Sequence, residues 1–179
     1  MKRTLSLVSF IIFLGASGLA QEKFGRTLNL GFGIGYHDAF EPAVNINYEF
    51  DLFRNFTLAP FVGISTYSDN RYWGNYNTPY RSYYYRETAI PVGAKGSYYF
   101  DELFRAGDKW DFYVGTSIGA VFRTAVWESG YYGDKKSIRY SRPVFANMHV
   151  GSECHVTQKF GIYLDLSSGI STFGMSFHF

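Results

Sequence analysis

Cysteine is almost absent from this chain of 179 residues: Cys154 stands alone. A single thiol closes no internal disulfide, so the fold is not a disulfide framework. Cys154 reads as a small buried or turn residue rather than a nucleophile. Long apolar runs are missing beyond the first 20 residues, and without about 18–20 consecutive apolar residues no helix spans a bilayer. A helical period of 3.6 is missing from the same region. Net charge is missing too. The 17 Lys and Arg fall to 15 once Lys2 and Arg3 leave with the leader described below, against 15 Asp and Glu. A formally neutral chain has no global pull toward nucleic acid, so none is expected as a partner. No His, Cys or carboxylate cluster has metal-ligand spacing. Gly31-Phe32-Gly33-Ile34-Gly35 has no third glycine at the spacing of a phosphate loop, and no helix pattern follows it. Neither a cofactor nor a metal is therefore expected, and no catalytic residue is assigned.

Aromatic residues are abundant, at 21% with 16 Tyr and 18 Phe, and 19 Gly accompany them. The first residues form a leader. Lys2 and Arg3 are followed by an apolar run from Leu5 to Leu14, and Gly18-Leu19-Ala20 offers small residues to a signal peptidase. Residues 1–20 are read as a signal peptide and 21–179 as one domain.

That domain alternates. Thr27–Tyr36 sets Leu28, Leu30, Phe32 and Ile34 against Asn29, Gly31, Gly33 and Gly35. Ala43–Asp51 sets Val44, Ile46, Tyr48 and Phe50 against Asn45, Asn47, Glu49 and Asp51. Strand-like segments follow at Phe56–Tyr67, Glu87–Phe100, Trp110–Thr124, Arg142–Glu153, Lys159–Ser167 and Thr172–Phe179. Pro60 lacks a ladder donor, so a bulge or weak pairing is expected there, and Pro91 is a second irregularity. Ser68–Arg86 and Ala125–Ser141 read as long loops, and Cys154–Gln158 as a short turn.

Period-2 alternation does not by itself say which face points inward. Residue size does. One face is bulky and nearly free of charge, whereas the other is rich in Gly, Ser and Asn. The interior of an eight-stranded barrel is just wide enough for side chains to fill, so rows of Phe, Leu and Ile would overfill it. The expected fold is all-β: an eight-stranded antiparallel up-and-down transmembrane β-barrel, apolar outside and polar within. The charges facing its lumen would be Glu49, Asp51, Lys95, Asp111, Arg123, Glu153 and Asp165, paired or hydrated and plugging it. Tyr36, Tyr48, Trp110 and Tyr98 to Phe100 lie near strand ends, where amphipathic rings suit the headgroup level.

In these segments the chain resembles the small eight-stranded outer-membrane barrels of the OmpX and OmpA-domain kind, and most of all the outer-membrane β-barrel ("porin family") proteins common in Bacteroidetes. The most specific part is the end: Thr172, Gly174, Phe177 and Phe179 match the terminal signal of such proteins. The resemblance implies recognition of the last strand by the barrel-assembly machinery. It also implies a location in the bacterial outer membrane among its lipid and lipopolysaccharide, as a monomer.

The functional expectation is a non-enzymatic structural, surface-binding or adhesion role. Tyr72, Trp73, Tyr76, Tyr83, Tyr84, Trp127, Tyr131 and Tyr132 crowd the two long loops as candidate contacts for an extracellular ligand or surface partner. Arg71, Arg81, Arg86, Lys135, Lys136 and Arg139 could meet lipopolysaccharide phosphates. The alternative is a lipid A-modifying enzyme. An acyltransferase would use a loop His and a neighbouring Asp-Ser pair, for which His37 and Ser68-Asp69 are the nearest match, in reversed order. A deacylase would use a His-x-Ser pair, which His149 and Ser152 miss by one residue. A narrow channel is the third reading.

Overall fold

The computed structural model describes residues 25–35, 41–100, 109–135 and 143–179. Eight strands account for most of them: β1 Arg26–Gly35, β2 Glu41–Phe53, β3 Phe56–Asn75, β4 Thr78–Tyr99, β5 Trp110–Trp127, β6 Val144–Thr157, β7 Phe160–Ser167 and β8 Ile170–His178. Each pairs antiparallel with its neighbour in sequence, and β8 returns to β1 to close the barrel. The seam runs from Thr27 opposite His178 to Gly35 opposite Ile170. Closure satisfies the backbone groups that an open sheet would leave along its edges.

Side-chain burial is inverted relative to a soluble barrel. Phe32, Phe122 and Met148 are 67%, 64% and 77% exposed on the outer face. Asn29, Asn47, Glu49, Lys95, Ser117, Glu153 and Asp165 are buried inside. The odd-numbered residues of β7 (Gly161, Tyr163, Asp165) are buried while Ile162, Leu164 and Leu166 are exposed. An apolar outer band around a polar interior is the solvent preference of a barrel in lipid. Glycines on the inner face make room for the few large rings there. A Cβ on Gly31 would overlap the Tyr163 hydroxyl, and one on Gly151 would overlap the Tyr113 ring.

The chain ends and the β2–β3, β4–β5 and β6–β7 connections share one end, called here the terminal end. The β3–β4, β5–β6 and β7–β8 connections share the hairpin end. Outward aromatic rings gather toward the terminal end: Phe53 stacks on Phe56 at 5.3 Å, Trp110 on Phe112 at 6.2 Å, and Phe160 meets Phe177 at 5.6 Å. Tyr98 and Trp110, expected in such a girdle, are about half exposed. Tyr36 lies outside the described residues.

Three expectations are corrected, and a fourth in part. Ser68–Arg86 is not a loop. β3 and β4 stay paired through Ser68–Arg86, Asn70–Tyr84 and Trp73–Arg81 and turn only at Tyr76-Asn77. Aromatic residues favour the pleated sheet and reward cross-strand pairing, as Tyr72 stacked on Tyr80 at 5.8 Å shows. Ala125–Ser141 is a loop only in part, because β5 runs on to Trp127 opposite Tyr85. Cys154 is not in a turn; β6 continues to Thr157, and the thiol sits half-buried on the outer face between Trp110 and Ile162. Neither Pro60 nor Pro91 shifts the register. The shifts fall at Asp51/Phe53, Trp73/Asn75 and His155/Thr157, each beside a turn. Near Pro60 the pairing with β2 pauses between Asn47–Phe61 and Phe50–Leu58, then resumes in the same register, so of a bulge or weak pairing the structure has the weak pairing.

Candidate functional site: the polar lumen and the hairpin end

Inward positions on facing staves bring the lumen charges together in layers. Toward the terminal end, Glu49 accepts from the Thr57 hydroxyl, from Tyr99 at 2.7 Å and from Asn29 at 3.3 Å. Asp51 accepts from the Gly25 amide at 3.1 Å. At mid-height Asp165 is the hub. Lys95 Nζ reaches its Oδ2 at 2.9 Å, the Tyr113 hydroxyl donates to the same oxygen at 2.8 Å, and His149 Nδ1 lies 2.7 Å from Oδ1. Lys95 also lies 4.7 Å from the Tyr113 ring centroid, within cation–π range. Nearer the hairpin end Arg123 pairs with Glu87 at 3.5 Å. Glu153 and Asp111 pair with His178 and His155 at the terminal end, at 2.7 and 2.6 Å.

All seven expected lumen charges thus lie on the inner face: Glu49, Lys95, Glu153 and Asp165 buried, Asp51, Asp111 and Arg123 partly so. Glu87 is not among the charges that the alternation points to, although its place beside the inward series of β4 marks its face. His155 falls in the segment that reads as a turn, so the alternation assigns it no face.

A cavity of about 160 Å³ opens above the Asp165 layer. Lys95, Ser117, His149, Tyr163 and Asp165 line its base, and Glu87, Arg123, Phe61 and Phe145 its upper wall. Ser117 Oγ lies 2.8 Å from His149 Nε2, so a Ser–His–Asp series crosses the lumen. The series does not make a nucleophile. Ser117 is 2% exposed, and it is paired to Lys95 on one side and Asn147 on the other. Its strand amides are committed to ladders rather than aimed at a developing oxyanion.

The deacylase reading is not assembled, and the acyltransferase reading falls in part outside the described residues. His149 faces the lumen while Ser152, three residues on, takes the opposite face of β6, since strand side chains alternate. Ser68 Oγ accepts from the Tyr84 hydroxyl at 2.8 Å, and Asp69 accepts from the Tyr67 hydroxyl at 2.6 Å. His37 lies outside the described residues.

At the hairpin end the aromatic residues divide in two. Tyr83 and Tyr131 are 2% and 1% exposed, so neither offers contact area. They meet at 5.4 Å, Trp73 lies 6.0 and 5.4 Å from them, and Trp127 stacks on Tyr131 at 4.2 Å and on Tyr85 at 4.6 Å. Arg81 covers the Tyr83 ring at 4.3 Å and pairs with Glu128 at 3.3 Å. This cluster fastens the β3–β4 extension to the segment after β5. Tyr72, Tyr76, Tyr80 and Tyr132 are instead well exposed, and Tyr84 partly so. Hydrogen bonds with Ser68 and Arg86 hold the Tyr84 hydroxyl below its ordinary pKa. Arg71, Arg86 and Lys135 are also described at this end; Lys136 and Arg139 lie outside the described residues.

No family model matches the chain, and no curated protein does. Solved structures do. A de novo designed transmembrane β-barrel aligns over 89% of this chain and 98% of its own, with a TM-score of 0.52 at 10% identity. The chain has the fold of a transmembrane β-barrel. Neisserial surface protein A aligns over 86% of this chain and 96% of its own at 14% identity and a TM-score of 0.49. The outer-membrane protein Ail of Yersinia pestis, in a phospholipid nanodisc, aligns over 88% and 100% at 12% and 0.47. Likeness at these identities is likeness of fold.

Proposed function

We propose that the chain is an integral outer-membrane protein of the small-barrel, OmpX-like kind. Residues 1–20 direct its export, the terminal end faces the periplasm, and the hairpin end faces outward. Its role is surface binding rather than catalysis or conduction. The observation that carries this reading is the β3–β4 extension, held by the buried Tyr83 and Tyr131 rings and the half-buried Trp73 and Trp127, which presents Tyr72, Tyr76 and Tyr80 to solvent with Tyr132 beside them from the segment after β5. Rigid, amphipathic rings on an ordered support supply contact area at little entropic cost. Basic residues beside them suit anionic surfaces, lipopolysaccharide phosphate among them.

The test replaces Tyr72, Tyr76, Tyr80 and Tyr132 together by Ser, which leaves the buried cluster in place. Cells carrying wild type or variant, matched for outer-membrane level and heat-modifiable gel mobility, are compared for adhesion to protein- and glycan-coated surfaces. The variant is expected to lose most of the adhesion that wild type adds to a deletion strain. Equal adhesion removes the binding role. A changed lipid A acyl pattern in the deletion strain, restored by wild type but not by His37→Ala, would favour the enzyme instead.

A further inference from the structure

The terminal end of the lumen carries a cluster that neither the hairpin surface nor the Asp165 hub uses. Glu153 and His155 are two residues apart on β6 and so share its inner face. His178 reaches them from β8 and Asp111 from β5. Glu153 Oε1 lies 2.7 Å from His178 Nε2, and His155 Nε2 lies 2.6 Å from Asp111 Oδ2. The two imidazole rings are 4.8 Å apart. One ligand atom each from Glu153, His155 and His178 falls within a span of 4.8 Å.

We propose that these side chains form a divalent transition-metal site, with Zn²⁺ as the fitting ion. Glu153, His155 and His178 are the ligands, and Asp111 is the fourth. Two imidazoles and two carboxylates make a nitrogen–oxygen donor set that suits Zn²⁺ in tetrahedral geometry, with bonds of about 2.0–2.2 Å. Such bonds require ligand atoms a little over 3 Å apart, so the present span closes with side-chain rotation of about 1 Å. The surroundings are built for it. Thr27 Oγ1 sits 3.0 Å from His178 Nδ1, which orients the ring with Nε2 toward the cluster, as outer partners of metal-bound histidines do. Gly161 leaves the space that the Glu153 carboxylate occupies; a Cβ there would overlap its Oε1. Among the described residues each carboxylate has a histidine as its ion partner, not a Lys or Arg. His155 and Asp111 keep 23% and 16% of their side-chain surface exposed, so an ion can enter from the terminal end. Bound there, it would tie β5, β6 and β8 together beside the seam with β1.

The test uses the tag-free mature chain folded into phospholipid vesicles. Zn²⁺ is titrated calorimetrically, and Co²⁺ is added to a second sample for its visible spectrum. Expected are one saturable Zn²⁺ per chain, the intense bands of four-coordinate cobalt, and a rise in the urea unfolding midpoint with Zn²⁺. His155→Ala combined with His178→Ala should abolish all three, and Thr27→Val should weaken affinity by about tenfold. Absence of saturable binding to wild type overturns the site, as does equal binding by the double variant. If the double variant does not fold, judged by heat-modifiable mobility, the cobalt spectrum of wild type alone decides: six-coordinate, aquo-like bands overturn the proposal.

Discussion

Asp165 shows how a single side chain can hold a barrel interior together. It accepts from Lys95, Tyr113 and His149, which come from three other staves. Removing one partner of a buried ion pair costs about 3–5 kcal/mol, because the remaining charge is left uncompensated. Lys95→Met leaves Asp165 with two donors, so a loss of about 3 kcal/mol is expected, at the lower end of that range. Asp165→Leu orphans an ammonium, a phenol and an imidazole at once and is expected to cost more. Urea unfolding in phospholipid vesicles ranks the two, and Lys95→Met proving the costlier would show that the hub is not the carboxylate. Part of this layer was legible in the sequence. Lys95 and Asp165 fall on inward positions of clean alternations, so their face followed. Their pairing did not, because a period of two fixes which face a residue takes but not its height or angle in the barrel. The cluster of Glu153, His155, His178 and Asp111 is hidden partly for the same reason, its members being scattered over 68 positions, and partly because His155 falls in a segment that reads as a turn.

Strands β3 and β4 are the elements where sequence and structure part furthest. Polar residues and tyrosines between Ser68 and Arg86 resemble loop composition. What keeps them as strands is tertiary: alternate rings on the inner face meet Trp127 from β5 and Tyr131 beyond it. Nothing within the segment announces those partners. The division between buried and exposed tyrosines has a direct consequence. Large aromatic side chains cost about 3–5 kcal/mol when a buried one is cut to Ala, whereas exposed surface changes stay within about 0.5 kcal/mol. Tyr131→Ala should therefore loosen the extension, seen as faster amide exchange from Asn70 to Tyr84, while the membrane-embedded strands keep their protection. Tyr76→Ala, at a fully exposed turn, should change neither. Equal exchange in wild type and Tyr131→Ala would mean that the rings do not hold the element.

For the molecule as a whole, closure and filling are separate questions with separate tests. Closure rests on β1 and β8, and the last residue takes part: the Phe179 amide donates to the Arg26 carbonyl at 2.9 Å. Deleting Phe179 removes that bond and the terminal ring, so yield in the outer membrane should fall while passage across the inner membrane continues; unchanged outer-membrane yield would mean that the final aromatic residue is dispensable. Filling decides whether the barrel conducts. The cavity at the hairpin end stops at the Lys95–Asp165–Tyr113 layer, and below it Tyr99 and Glu49 are buried together. An ion passing through would have to part a buried ion pair and then displace two packed tyrosines, Tyr99 and Tyr113, whose rings lie 5.3 Å apart. The upper layer is tied to β4, β5, β6 and β7 and the lower to β1, β2, β3 and β4, so no single rotamer change opens a path. Planar bilayers containing the folded protein should therefore show no steady conductance. Shortening the plug with Tyr99→Ala and Tyr113→Ala together should create small, resolvable openings. Stable wild-type current, insensitive to those two substitutions, would place the path elsewhere and overturn the sealed-lumen reading.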